Sequence, residues 1–132
     1  MQDSTEFNRW IKTHKPFHWF LEFNNIMNNG GFDVVIGNPP YVEYARVKDE
    51  YTIKNFYTEK CGNLYAFVIE KSLNLINKNG RFGMIVPISL PSTNRMHNLR
   101  KLLETKSSHL WCSNFSDRPG TLFTGVHQKY LQ

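Results

Sequence analysis

The chain has 132 residues, 40% of them hydrophobic and 14% aromatic: enough for one compact domain with a real core, and too apolar for wholesale disorder. Sixteen Lys and Arg stand against eleven Asp and Glu, a net charge of +5. That balance favours an anionic partner, nucleic acid being the commonest, with a merely basic surface as the alternative because the charge is spread along the chain. No apolar run approaches the roughly 20 residues that span a bilayer, and no charged-then-apolar leader opens the chain, so the expectation is a soluble, cytoplasmic protein without a membrane partner.

The first sixteen residues are polar with scattered aromatics and read as an irregular or helical lead-in. Phe17 to Phe23 is aromatic-rich and is expected to form a short strand. Asn24 to Asn29 is expected to form a helical turn ended by Gly30 and Gly31. From Phe32 to Ile36 a β-branched apolar run predicts a central parallel strand, apolar on both faces. Gly37 stops it. Asn38-Pro39-Pro40 then forbids further pairing, because neither proline donates a backbone hydrogen bond. Val42 to Lys60 has no strong period and reads as a long loop with at most one helix.

Leu64 to Asn77 is the clearest helix. Tyr65, Ile69, Ser72, Leu73 and Ile76 fall on one face. Asn63 suits its N-cap and Gly80 its termination. Arg81 to Ile88 is the second strand. Thr93 to Lys106 is a second helix, with Met96, Leu99, Leu102 and Leu103 as its apolar stripe. Leu110 to Phe115 is a third strand, Asp117 to Gly120 a turn, and Val126 to Gln132 the start of a fourth strand. Trp10, Trp19 and Trp111 read as buried anchors. Alternating strands and helices imply an α/β fold with a parallel sheet, and in such sheets the active site lies beyond the carboxyl ends of the strands. Asn38 to Tyr41 occupies that place. Cys61 and Cys112 lack the spacing of a redox or zinc site, and the five histidines lack metal-ligand spacing, so no metal is expected.

Asn38-Pro39-Pro40-Tyr41 carries the chemistry. Two prolines remove two N–H donors and leave carbonyl acceptors without local partners. Asn38 precedes a proline and is held extended, and its carboxamide adds a further acceptor. Tyr41 offers a flat face for stacking. Such a turn fits a planar heterocycle, or an amide, that carries an amino group with two hydrogens to donate. Two acceptors in tetrahedral directions favour a pyramidal nitrogen with a localised lone pair. That nitrogen can attack an electrophilic methyl with no metal, nucleophilic side chain or strong base.

The run Phe32-Asp33-Val34-Val35-Ile36-Gly37-Asn38-Pro39-Pro40-Tyr41 resembles the catalytic motif of the S-adenosylmethionine-dependent adenine-N6 DNA methyltransferases of bacterial restriction–modification systems. Release-factor glutamine methyltransferases share the tetrapeptide, but tend to carry an acidic residue on the next strand, where this chain has Ile85-Val86-Pro87. Asn63 to Lys71 and Asn79 to Pro87 resemble the next helix and strand of the adenine enzymes. Gly120-Thr121-Leu122-Phe123 with Val126 to Leu131 resembles their late motif. The similarity runs from about Pro16 onward and is most like the large enzymes that fuse modification to cleavage.

The resemblance implies the C-terminal part of a Rossmann-like class I methyltransferase fold, with residues 1–31 as lead-in and 32–132 as a partial catalytic domain. It implies that Asn38 and the Pro39 carbonyl hold the target amino group. Tyr41 stacks on one face of an adenine extruded from double-stranded DNA, and Phe123 contacts the other. Asn38, Pro40 and Val68 border the S-adenosylmethionine. Val68 stands where relatives often carry an aromatic, with Phe67 as its alternative; core packing also accounts for Tyr65 and Phe67. Tyr44, Arg46 and Lys48 are candidates for DNA contact. Arg95, Arg100, Lys101 and Lys106 read as a solvated helix face, with phosphate contact as the alternative. The family's Gly-rich cofactor loop has no counterpart in the thirty-one residues before Phe32. The expectation is therefore a fragment that is inactive alone, binds cofactor weakly or not at all, and self-associates, or docks with other parts of a parent protein, through the strand beginning at Phe32. A non-catalytic nucleic-acid-binding remnant and a protein-glutamine methyltransferase are the competing readings.

Overall fold

The computed structural model of the protein describes residues 4–115. The expected turn at Asp117, the strand from Val126 and Phe123 lie outside them. The lead-in is helical: α1 spans Ser4–His14, α2 Trp19–Glu22 and α3 Asn24–Asn28. The strand expected over Phe17 to Phe23 is corrected to a helical turn. Its aromatics meet at helical spacing instead of alternating, for Trp19 and Phe23 stack at 5.8 Å. Both also pack edge-on against Phe32 at the start of the first strand. Gly31 follows α3 at φ +112°, and a Cβ there would lie 2.4 Å from the Leu75 carbonyl oxygen, so the turn requires glycine.

β1 spans Phe32–Gly37, α4 Leu64–Leu73 and β2 Ile76–Met84. The two strands pair in parallel, which makes a strand–helix–strand unit. Helix α4 begins as expected, with the Asn63 side chain accepting from the Tyr65 N–H. It ends four residues early. The register explains why: Phe32 faces Ile76, but Val34 faces Arg81. Two residues along β1 match five along β2, so three residues of β2 bulge out. The Asn77 side chain supports this bulge, accepting from the Asn79 N–H at 2.8 Å and donating to the Asp33 carboxylate. Gly80 is therefore not a helix terminator. It lies in the bulge, where a Cβ would strike the Ile76 side chain and the Phe32 carbonyl. β2 correspondingly begins at Ile76 and ends at Met84, not at Ile88.

Past β2, α5 spans Ser89–Ser92, a 3-10 turn covers Asn94–Met96, and α6 spans His97–Lys106. The core forms where α4 and α6 meet: Cys61, Tyr65, Ala66, Ile69, Met96, Leu99 and Leu103, flanked by Phe82 and Met84 from β2. The apolar faces read from both helical patterns are the buried ones. The central position expected for β1 is not seen among the described residues. Its one strand neighbour is β2, and Val34 and Ile36 are 56% and 76% exposed. Leu110 to Phe115 forms no strand, and Leu110, Trp111 and Phe115 are exposed. The three tryptophans are not buried anchors either: Trp10 packs against Phe7 and His14 on the surface of α1, and Trp111 stacks on His109 in solvent. No helix among the described residues is long and apolar enough to cross a membrane.

Candidate functional site

The site starts where the β1–β2 ladder stops. The Ile85 N–H donates to the Gly37 carbonyl at 3.0 Å, one step past β2. The chain then leaves the sheet through Asn38-Pro39-Pro40, which cannot continue the pairing. Asn38 and Pro40 are exposed and Pro39 is buried. No described group donates to the Pro39 or Pro40 carbonyl. The Tyr41 hydroxyl lies 2.6 Å from Asn38 Oδ1 and 2.9 Å from the Ile85 carbonyl oxygen. Its ring meets Tyr65 of α4 edge-on at 6.3 Å. The turn thus closes on itself over the carboxyl ends of both strands. Burial pushes the Tyr41 phenol above its ordinary pKa, so at neutral pH it is a hydrogen donor and not a base.

The chain beyond Tyr41 is pinned to the start of α4. The Leu64 N–H donates to the Val42 carbonyl at 2.8 Å, and the Tyr44 N–H to Gly62 at 2.9 Å. Between them Glu43 and Asn63 form an antiparallel bridge. The Asn63 amide donates to Glu43 Oε1 at 3.0 Å while its oxygen caps α4. Arg95 donates to Glu43 Oε2, forming an ion pair, and to the Gly62 carbonyl at 2.8 Å. Gly62 adopts φ +57°, and a Cβ there would lie 2.6 Å from the Arg95 guanidinium. Burial raises the Glu43 pKa, but hydrogen bonds from Arg95 and Asn63 and the charges of Arg95 and Arg46 outweigh it and hold the carboxyl below its usual value.

A second clamp holds the far end of this loop. Glu70, buried on α4, accepts from the Tyr57 N–H at 3.0 Å, the Thr58 N–H at 2.8 Å and the Thr58 hydroxyl at 2.7 Å. Neither clamp was predicted from the sequence. Gly62-Asn63, a glycine before an N-cap, and Glu70 on an otherwise apolar helix face were the available signals.

The other predicted residues divide. Tyr44 is a loop brace: its hydroxyl accepts from the Ile53 N–H at 2.9 Å and donates to the Tyr51 carbonyl. Its ring packs edge-on against Phe67. Phe67 is 4% exposed among Tyr44, Phe56 and the core, whereas Val68 is 36% exposed on the outside of α4. Val68 lies one turn along from Tyr65, the residue that meets Tyr41. Arg46 and Lys48 are exposed past the turn. Arg95 and Arg100 are not simply solvated: Arg100 donates to the Leu90 and Thr93 carbonyls at 2.8 and 2.6 Å. Lys101 and Lys106 are exposed. Cys61 is fully buried, and that burial pushes its thiol up, away from nucleophilic use. Among the described residues no group of three His, Cys, Asp or Glu side chains is arranged to hold a metal ion.

A parallel strand–helix–strand unit with an acceptor-rich turn at the carboxyl end of its first strand defines an α/β chain whose turn stands where such sheets place their sites. The chain belongs to the Eco57I restriction-modification methylase family, whose pattern matches residues 2–119. It is 38% identical over 92 residues to a putative type II restriction enzyme and methyltransferase of Methanocaldococcus jannaschii, covering 70% of this chain and 8% of that protein. It is 31% identical over 101 residues to the type II methyltransferase M.BstVI of Geobacillus stearothermophilus, covering 73% of this chain and 17% of that protein. The chain therefore spans only a small part of either relative. No solved structure matches it.

Proposed function

We propose that this chain carries the catalytic turn of a site-specific DNA adenine-N6 methyltransferase acting in restriction–modification. Residues 32–132 form part of a Rossmann-like catalytic domain, and residues 1–31 lead into it. The observation that carries this is the placement of Asn38 to Tyr41. The turn leaves the carboxyl end of a parallel strand with Asn38 exposed and the Pro39 carbonyl without a donor among the described residues.

Asn38 Oδ1 and the Pro39 carbonyl accept the two N–H groups of the adenine amino nitrogen. That pairing draws the nitrogen lone pair out of conjugation with the ring and fixes its direction. The Tyr41 ring stacks on the extruded base, and Phe123 contacts the opposite face. Adenine extrusion implies double-stranded DNA as substrate, approached past the exposed Arg46 and Lys48. S-adenosylmethionine supplies an electrophilic methyl when bound. The chemistry of the turn fits it: among the described residues the turn presents neutral carbonyl oxygens and a Tyr41 hydroxyl that keeps its hydrogen, with Val68 exposed on α4. Asn38, Pro40 and Val68 line that side, and the enzyme works in the cytoplasm.

The test is Asn38→Ala in the protein that carries this chain, assayed by radiolabelled methyl transfer to duplex DNA with nucleoside analysis of the product. Loss of one preorganised hydrogen bond lowers the rate by about 10²–10³. Near-wild-type turnover, or a methylated product other than N6-methyladenine, overturns the assignment.

A further inference from the structure

The Tyr41 hydroxyl has one hydrogen and two acceptors within reach, Asn38 Oδ1 at 2.6 Å and the Ile85 carbonyl at 2.9 Å. The closer acceptor is the oxygen assigned above to the adenine amino group. A hydroxyl hydrogen held on that oxygen withdraws electron density from it and weakens it as an acceptor for a second donor. The Ile85 carbonyl is free of other described donors, and its position is fixed because the Ile85 N–H is tied to Gly37. The Tyr41 ring is braced by Tyr65, whose own hydroxyl lies 3.1 Å from Ser89 Oγ. Rotation about the phenol C–O bond alone is therefore enough to move the hydrogen from one acceptor to the other.

We propose that the Tyr41 hydroxyl hydrogen, beyond the stacking role of its ring, caps Asn38 Oδ1 before a base docks and passes to the Ile85 carbonyl when an adenine amino group arrives. This rests on the adenine reading and deepens it. No covalent bond changes. One hydrogen bond is exchanged for another, so the ring stays in its stacking position and no donor is left unpaired. The raised phenol pKa agrees with a hydroxyl that keeps its hydrogen throughout. The capped state keeps the exposed Asn38 acceptor matched to a donor until a base with an amino group replaces it.

The test uses this chain with ¹³Cζ-labelled tyrosine and ¹⁵N-labelled asparagine side chains, observed by NMR. The probes are two thymine-rich single strands, one with a single adenine and one with unsubstituted purine at that position. Purine can stack but has no amino group. In the free protein, Tyr41→Phe is expected to shift the Asn38 carboxamide resonances. In the wild type, the adenine strand is expected to shift both the Tyr41 Cζ and the Asn38 carboxamide resonances. The purine strand should leave the Tyr41–Asn38 hydrogen bond in place. Tyr41→Phe should retain or raise the preference for adenine over purine, by up to about tenfold, whereas Tyr41→Ala should weaken both strands about tenfold through lost stacking. If adenine binds without moving Tyr41 Cζ, or if Tyr41→Phe lowers the adenine preference, the switch is overturned and the adenine reading stands. If the adenine strand is bound no better than the purine strand by any variant, the adenine reading fails and the switch with it.

Discussion

Glu70 is the buried group on which the loop from Val42 to Asn63 depends, and replacing it by alanine measures that dependence. The carboxylate is 8% exposed and accepts three hydrogen bonds, two of them from Thr58, which is fully buried. In Glu70→Ala both Thr58 donors lose their partner away from water. At about 1–3 kcal/mol for each buried donor left unpaired, the loss is roughly 2–6 kcal/mol. The Tyr57 N–H adds little, because Tyr57 is half exposed and water replaces the lost acceptor. Urea unfolding of the chain, followed by far-UV circular dichroism, should show a midpoint lower by at least about 0.7 M for a slope of roughly 1–3 kcal/mol per M. Thr58→Val removes one of the donors, so the two substitutions should couple by about 1.5–3 kcal/mol in a double-mutant cycle. A midpoint for Glu70→Ala within error of wild type, or additive losses in the cycle, would refute the clamp.

Gly31→Ala should destabilise the fold by more than the ~1 kcal/mol typical of a mild backbone substitution, because its Cβ would meet the Leu75 carbonyl. Gly30→Ala, also at positive φ but facing open space, is the control, and equal thermal shifts for the two would contradict the close approach. Glu43 has a folded-state pKa below its ordinary value, so its contribution is present above the unfolded pKa and is lost as pH falls through the folded one. Acid titration of the unfolding midpoint should therefore be shallower in Glu43→Gln than in wild type below the ordinary carboxylate value of 4.5, and parallel curves would sink that account.

The elements legible in the sequence were those whose pattern and local chemistry agreed. Helix α4 shows its buried face at Tyr65, Ile69 and Ser72 and its cap at Asn63, and all four hold. Its end was misplaced because Ile76 continues the helical stripe while belonging to β2. What decides that residue is pairing with Phe32, forty-four positions away, and helical periodicity carries no information about such a partner. Gly80 was misassigned for the same reason, since a glycine after a helix and a glycine in a bulge look alike until the register is known. The apolar run at β1 correctly signals a strand, but its composition asks for cover on both faces that the described residues do not provide. Leu110 to Phe115 carries strand propensity without a described neighbour to pair with, and propensity alone does not close a ladder.

At the site, residue type shows which donors are removed and which acceptors are kept, since the prolines lack an N–H and the amide brings a carbonyl. What residue type did not show is that the Tyr41 hydroxyl reaches back to Asn38 and across to a backbone carbonyl forty-four residues on. Backbone acceptors have no signature in a sequence: every residue has one, and only the fold decides which are free. The same holds for Arg95 and Arg100, whose charge suggested a solvated face or phosphate contact, yet which bond to the Gly62, Leu90 and Thr93 carbonyls. Arg95 reaches the turn through Glu43, two residues past Tyr41, so it is one of the groups that hold the Asn38 to Tyr41 turn against α4.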